Sequence, residues 1–212
     1  MDSKGIQELY TEKAALYDFF FLNLLGVGRS IKRFFQKSEF IRSPCKVLDV
    51  GCGTGDLTKS LWTISREKGY EKVIFHAFDV TQATLDVFQQ WIEKRNANNI
   101  MWRRADVLHL EQLPSDWNAY DRIVSCGMLE YIQKDQLQDV LNDLWRRLKQ
   151  DGKLAVFIAS KNRMTRLCVE RWWKAYTYHE QEIQSMFQAS QFREYTITKC
   201  RGRSIFMVVA KK

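Results

Sequence analysis

An apolar run, Val47-Leu48-Asp49-Val50, leads directly into Gly51-Cys52-Gly53-Thr54-Gly55-Asp56, and a helical pattern follows with Leu57, Leu61 and Ile64 on one face. That order reads as a buried parallel strand, a tight loop and a helix. Glycine has no Cβ, so the loop can tighten and a ligand can lie directly against the backbone. The helix-start N–H groups are expected to point at the ligand's anionic end. The unit is a small-molecule cradle, and the rest of the chain must say which molecule it holds.

Strands and helices alternate around it. Strands are expected at 46–50, 73–78, 100–105, 121–126 and 153–159. Amphipathic helices are expected at 56–68, 82–95 and 134–149, the last with Leu137, Leu141, Leu144 and Leu148 on one face and Gly152 as its C-cap region. A helix near 180–190 precedes two strands, 192–199 and 204–210, joined by a tight Cys200-Arg201-Gly202-Arg203 turn. Alternation implies a mainly parallel sheet, to which the final hairpin adds an antiparallel pair. Residues 1–44 read as aromatic-rich helical segments, and no linker divides the chain.

At 212 residues the chain is long enough for one domain with a good core. Five scattered cysteines, an odd total with no C-x-x-C pair, fit reduced thiols in a cytoplasmic compartment. The opening residues lack the cationic-then-apolar order of a signal peptide. The apolar stretch from Phe19 to Val27 is too short to span a bilayer. The net charge of +8 is uneven: from Arg146 onward 15 Lys/Arg face 5 Asp/Glu, whereas the first 145 residues hold 18 against 20. A basic C-terminal third suggests an anionic partner: a carboxylate or phosphate substrate, a membrane surface or nucleic acid. Solvated surface charge is the plain alternative.

In open α/β sheets ligands bind beyond the carboxyl ends of the strands, where the strand order reverses. The second strand ends at Asp79, 24 residues beyond Gly55, where a carboxylate can accept hydrogen bonds from a ribose diol. The third is followed by Asp106, placed for an adenine amino group. A dinucleotide fingerprint needs its third glycine at 56; Asp56 stands there, and a carboxylate would repel a pyrophosphate.

At these residues the chain resembles the class I S-adenosylmethionine-dependent methyltransferases, over about residues 45–160. The glycine motif matches Asp49 to Gly55, and the acidic ribose ligand matches Asp79 within Phe78-Asp79-Val80-Thr81-Gln82. The adenine-side acid matches Asp106, and the F/Y-D-x-I/V strand matches Tyr120-Asp121-Arg122-Ile123. Leu148-Lys149-Gln150-Asp151-Gly152-Lys153-Leu154 matches the L-K-P-G-G-x-L entry to the fifth strand, with Gln150 and Asp151 replacing Pro and Gly. The resemblance implies a Rossmann-like α/β fold: a seven-stranded, mostly parallel sheet with an antiparallel last strand and helices on both faces. It implies a helical lid over 1–44 packed on a methyltransferase domain over 45–212, with a substrate-lid insertion at 161–178, all one structural domain.

It further implies S-adenosyl-L-methionine as cofactor, bound by Asp49, Gly51, Cys52, Gly53, Thr54, Gly55, Asp79, Val80, Asp106, Val107 and Ser125. Asp49 would help hold the methionine amino group, although it could equally cap the turn. Transfer needs chiefly in-line alignment and exclusion of water, and no metal. His76, His109 and His179 show no ligand spacing with the cysteines. An oxygen or activated carbon acceptor that still carries its proton calls for a base. Glu130 and Tyr131 after the fourth strand, and Tyr17 from the N-terminal segment, are the catalytic candidates, with a pocket-wall role the alternative for each.

The [DNS]-P-P-[YFW] motif of adenine and glutamine methylation is absent, since the chain reads Ser125-Cys126-Gly127-Met128. Ala14-Ala15-Leu16-Tyr17-Asp18 resembles the opening of enzymes that methylate quinones and phospholipid head groups. The expected acceptor is therefore small or lipid-like. The cationic, aromatic stretch from Arg163 to Tyr176 could clamp an anionic amphiphile or lie on a membrane. It could also bind RNA, making an RNA methyltransferase the alternative, with a non-catalytic cofactor-binding module a third reading. No sequence feature sets an oligomeric state.

Overall fold

The computed structural model describes residues 27–200 and 204–212. The expected opening over 1–26, with Tyr17, and the 201–203 turn lie outside them. In chain order the elements are α1 (Val27–Lys37), β1 (Cys45–Val50), α2 (Asp56–Glu67), β2 (Val73–Asp79), α3 (Gln82–Arg95), β3 (Ile100–Arg104), β4 (Tyr120–Cys126), α4 (Leu137–Arg147), β5 (Leu148–Ala159), α5 (Glu180–Ala189), β6 (Glu194–Lys199) and β7 (Ile205–Lys211). Short 3-10 turns occupy Val107–Gln112 and Leu129–Tyr131.

One sheet runs β3-β2-β1-β4-β5-β7-β6. The first five strands pair in parallel, and β7 runs antiparallel to both β5 and β6. The expected fold class is the observed one. Neighbouring residues on a strand serve opposite faces. Val47, Val124, Ala155 and Phe157 enter one buried cluster, which also takes Leu61 and Ile64 of α2. Leu48, Ile123, Leu154 and Val156 enter the other, with Leu141 and Leu144 of α4. Both faces are covered, which is why these strands read as continuous apolar runs.

The boundary between α4 and β5 differs from expectation. The helix stops at Arg147, and Leu148 opens β5 by pairing with Tyr120 before the regular ladder resumes at Lys153. Leu148 continues the helical spacing and is buried in either setting, so periodicity alone could not separate the two. Gly152 is therefore a strand residue rather than a helix cap, and a Cβ there would come within 2.8 Å of the Lys149 carbonyl oxygen. Asp151 takes the left-handed conformation at φ 61, in the position where the resembling motif carries glycine. Asp121 accepts from the Lys46 N–H at 2.7 Å and pairs with Lys149, which ties β4 to β1 at their amino ends.

The order reverses between β1 and β4. This puts the tips of β3, β2, β1 and β4 in a row along one edge, carrying in turn Asp106, Asp79, the glycine loop and the Cys126–Tyr131 turn.

Candidate active site

The loop after β1 is held by backbone geometry that glycine permits. Gly51, Gly53 and Gly55 all have positive φ, at 66, 54 and 88. A Cβ on Gly51 would lie 2.4 Å from Met128 Cγ, and one on Gly55 would lie 2.2 Å from the Phe88 ring. Those two glycines are required by packing. At Gly53 no atom of the described residues beyond its chain neighbours comes within 4 Å of the added Cβ, which is the open backbone a ligand can lie against.

Asp79, half-buried at the end of β2, is fixed by this loop. Its Oδ2 accepts from the Gly53 N–H at 2.8 Å and its Oδ1 from the Thr81 N–H at 2.8 Å. Burial pushes its carboxyl above the usual range despite these donors. The Thr81 hydroxyl and the Val80 N–H also act on this carboxylate. Val80, beside it, is half-buried. Asp106 accepts from the Leu108 N–H at 3.0 Å and caps the short 3-10 turn, whose Val107 is buried in the core.

Asp49 is 1% exposed. Its Oδ2 accepts from the Thr58 N–H at 3.1 Å and the Thr58 hydroxyl at 2.7 Å, capping α2 from the neighbouring strand. Part of the helix N-terminus is thus satisfied by the chain's own carboxylate rather than left for an anion. Asp49 Oδ1 has no hydrogen-bond partner among the described residues, and burial pushes the carboxyl up to about 7. An orphaned buried acceptor is costly unless a donor meets it. Asp49 borders a cavity of about 260 Å³ lined also by Gly51, Asp56, Lys59, Cys126 and, from α1, Ile31 and Lys32.

That cavity fits a zwitterionic amino-acid moiety. Asp49 offers an acceptor to an ammonium group, and Lys32 and Lys59 offer donors to a carboxylate. Asp49 and Gly51 line this cavity, and Asp79 is hydrogen-bonded to Gly53 of the same loop. Cys52 and Thr54 are buried, the Cys52 N–H donating to the Phe78 carbonyl, and they shape the loop. Ser125 spends its hydroxyl on the Val50 carbonyl at 2.8 Å, pinning β4 to β1. Thr58, Lys32 and Lys59 were not among the expected site residues. Thr58 had no sequence signal, because its partner lies nine residues back across the loop.

Glu130 is also 1% exposed. Its Oε1 accepts from the Ala159 N–H at 2.7 Å, and its carbonyl accepts from the Tyr176 N–H at 2.8 Å. Its Oε2 has no partner among the described residues, and burial pushes the carboxyl up to about 7. Burial raises the thiol of Cys126, which lines the cavity, and the Glu130 and Asp49 carboxylates add to that. Tyr131 is buried in the first cluster with Cys52 and Leu57. Among the described residues no group of three His, Cys, Asp or Glu side chains could hold a metal ion.

The sequence profile of a family described as a methyltransferase domain matches residues 47–152, half of the chain. Demethylmenaquinone methyltransferase from Lactobacillus johnsonii is 29% identical over 82% of this chain and 67% of its own length. Ubiquinone/menaquinone biosynthesis C-methyltransferase UbiE from Idiomarina loihiensis is 31% identical over 74% of this chain and 59% of its own length. The chain thus spans between 59% and 67% of the length of these two relatives. Magnesium protoporphyrin IX methyltransferase from Synechocystis PCC 6803, solved with bound SAH, shares the fold across 100% of both chains, at a TM-score of 0.71 and 14% identity. The chain belongs to the class I S-adenosylmethionine-dependent methyltransferases.

Proposed function

We propose that this chain moves a methyl group from S-adenosylmethionine to a small, lipid-like acceptor. The observation that carries this reading is Asp49 Oδ1, a buried carboxylate oxygen without a partner among the described residues, on the wall of a cavity beside the glycine loop. Asp49 holds the amino group of the cofactor's methionine part and Lys32 and Lys59 its carboxylate; Asp79 takes the ribose diol, and Asp106 lies toward the adenine. Bound there, the cofactor supplies an electrophilic methyl on a sulfonium, itself a good leaving group.

The chain's own work is alignment, exclusion of water and one proton transfer. The new bond joins the methyl carbon to the acceptor's oxygen or activated carbon, the sulfur takes the bonding pair, and the acceptor gives up a proton. Glu130 receives that proton: it is buried, and one oxygen is already anchored on the Ala159 N–H. A carboxyl held near 7 is ionised often enough at neutral pH to act as base and basic enough to be effective. Lipid-like acceptor chemistry is supported by the quinone-pathway names of the relatives.

Calorimetry with S-adenosylhomocysteine on wild type and Asp79→Ala tests the cradle. Loss of charge-assisted hydrogen bonds is expected to weaken binding by about tenfold or more, and equal affinities would refute the assignment. Labelled cofactor incubated with fractionated cell extract then reads the acceptor class, and label in RNA rather than lipid would replace the acceptor proposed.

A further inference from the structure

The chain beyond β5 builds an exposed face of mixed cations and large apolar side chains. Asn162 caps a single α-turn, Arg163–Thr165, which widens into a π-helical turn, Arg166–Trp172. Thr165, Val169 and Trp173 are buried, Trp173 at 2% exposure. Met164, Leu167 and Trp172 are exposed at 46%, 61% and 51%. The five-residue spacing of a π-turn keeps Leu167 and Trp172 on one side while Val169 and Trp173 stay inside. Trp172 and Trp173 are adjacent in sequence, and the winding separates them.

Arg163, Arg166, Arg171 and Lys174 are exposed on the same segment. Its one acid, Glu170, is engaged by Lys161 at 4.0 Å, by Arg166 at 3.8 Å and by the Thr177 hydroxyl. The segment is fixed to the site: the Lys161 N–H donates to the Tyr178 carbonyl, and the Tyr176 N–H to Glu130. Val169 and Trp173 share a buried cluster with Ile31 and Phe35 of α1, which itself exposes Lys32, Arg33 and Lys37.

We propose that this face docks the protein on an anionic lipid surface. Met164, Leu167 and Trp172 enter the boundary between head groups and acyl chains, and the arginines and Lys174 meet lipid phosphates. Exposed aliphatic side chains between cations gain from acyl chains and gain nothing from stacked bases, which separates this surface from a nucleic-acid platform. The inference rests on the exposed face and not on the acceptor's identity, so lipid binding and methyl transfer can fail independently.

Flotation of the full chain with vesicles of phosphatidylcholine, or of equimolar phosphatidylcholine and phosphatidylglycerol, tests it. Binding is expected to the anionic vesicles alone and to weaken with salt. Leu167→Ser, outward-facing and so compatible with the fold, is expected to lower partitioning about tenfold. Arg163→Gln and Arg171→Gln are each expected to lower it about fivefold. Melting temperature and S-adenosylhomocysteine affinity stay at wild-type values in all three. The proposal is overturned if neither vesicle binds, or if Leu167→Ser floats like wild type. It is also overturned if the arginine variants lose binding to a single-stranded RNA that Leu167→Ser retains.

Discussion

Replacing Glu130 with glutamine tests the buried carboxyl through stability and chemistry together. In the folded chain its pKa is raised from the ordinary 4.5 to about 7 by burial. The folded state therefore holds this proton more tightly than the unfolded state. The group's favourable contribution is complete below about pH 4.5 and is lost as the pH climbs to about 7. At 1.36 kcal/mol for each tenfold change in proton affinity, the loss is about 3 kcal/mol. Glutamine keeps a carbonyl oxygen for the Ala159 N–H and cannot ionise. It also places an amide N–H where Oε2 has no partner, at a cost of about 1–3 kcal/mol that does not depend on pH. The constant cost cancels on comparing two pH values. Glu130→Gln is thus expected to be more favourable at pH ~8 than at pH ~4 by about 3 kcal/mol, read from denaturant unfolding of both proteins at each pH. Turnover with saturating cofactor should fall about 10²–10⁴-fold, with cofactor KM little changed. A pH-independent difference would refute the burial argument, and intact turnover would refute the role as base.

The glycines separate packing from ligand space. Gly55→Ala, driven against the Phe88 ring at positive φ, should cost about 2–4 kcal/mol of stability by chemical denaturation. Gly53→Ala should cost only about 1–2 kcal/mol and yet abolish measurable S-adenosylhomocysteine binding; retained binding would show that no ligand lies there. Asp49→Asn should raise cofactor KM more than it lowers kcat. It should also remove the weakening of cofactor binding that accompanies acidification through about 7, where Asp49 takes up its proton; an unchanged pH profile would contradict the ammonium contact.

Much of the frame was legible along the chain. The alternation of Val47 with Leu48, and of Leu154 with Ala155, follows from a strand sending successive side chains to opposite faces, and it survives any detail of packing. The glycine loop and the acid at the tip of β2 are short-range features: a tight turn needs glycines at set spacing, and a strand's end fixes where its last side chain stands. These sufficed for the sheet, the glycine loop and the place of Asp79 at the tip of β2.

Tertiary structure alone decided what depends on distant residues meeting. Leu148 suits a helix face and a strand equally, and pairing with Tyr120 makes it strand. Asp49 has one oxygen on Thr58 and one bare because α2 packs back over β1. Ile31 and Lys32 wall the cavity because α1 lies against the loop, a contact with no local signature. Glu130 became a buried acid with an unused oxygen when β5 supplied a single N–H to it. A chain's spacing encodes which way a side chain faces. Whether that side chain finds a partner, water or an empty space is settled by elements far away in sequence, and on that the chemistry of this site depends.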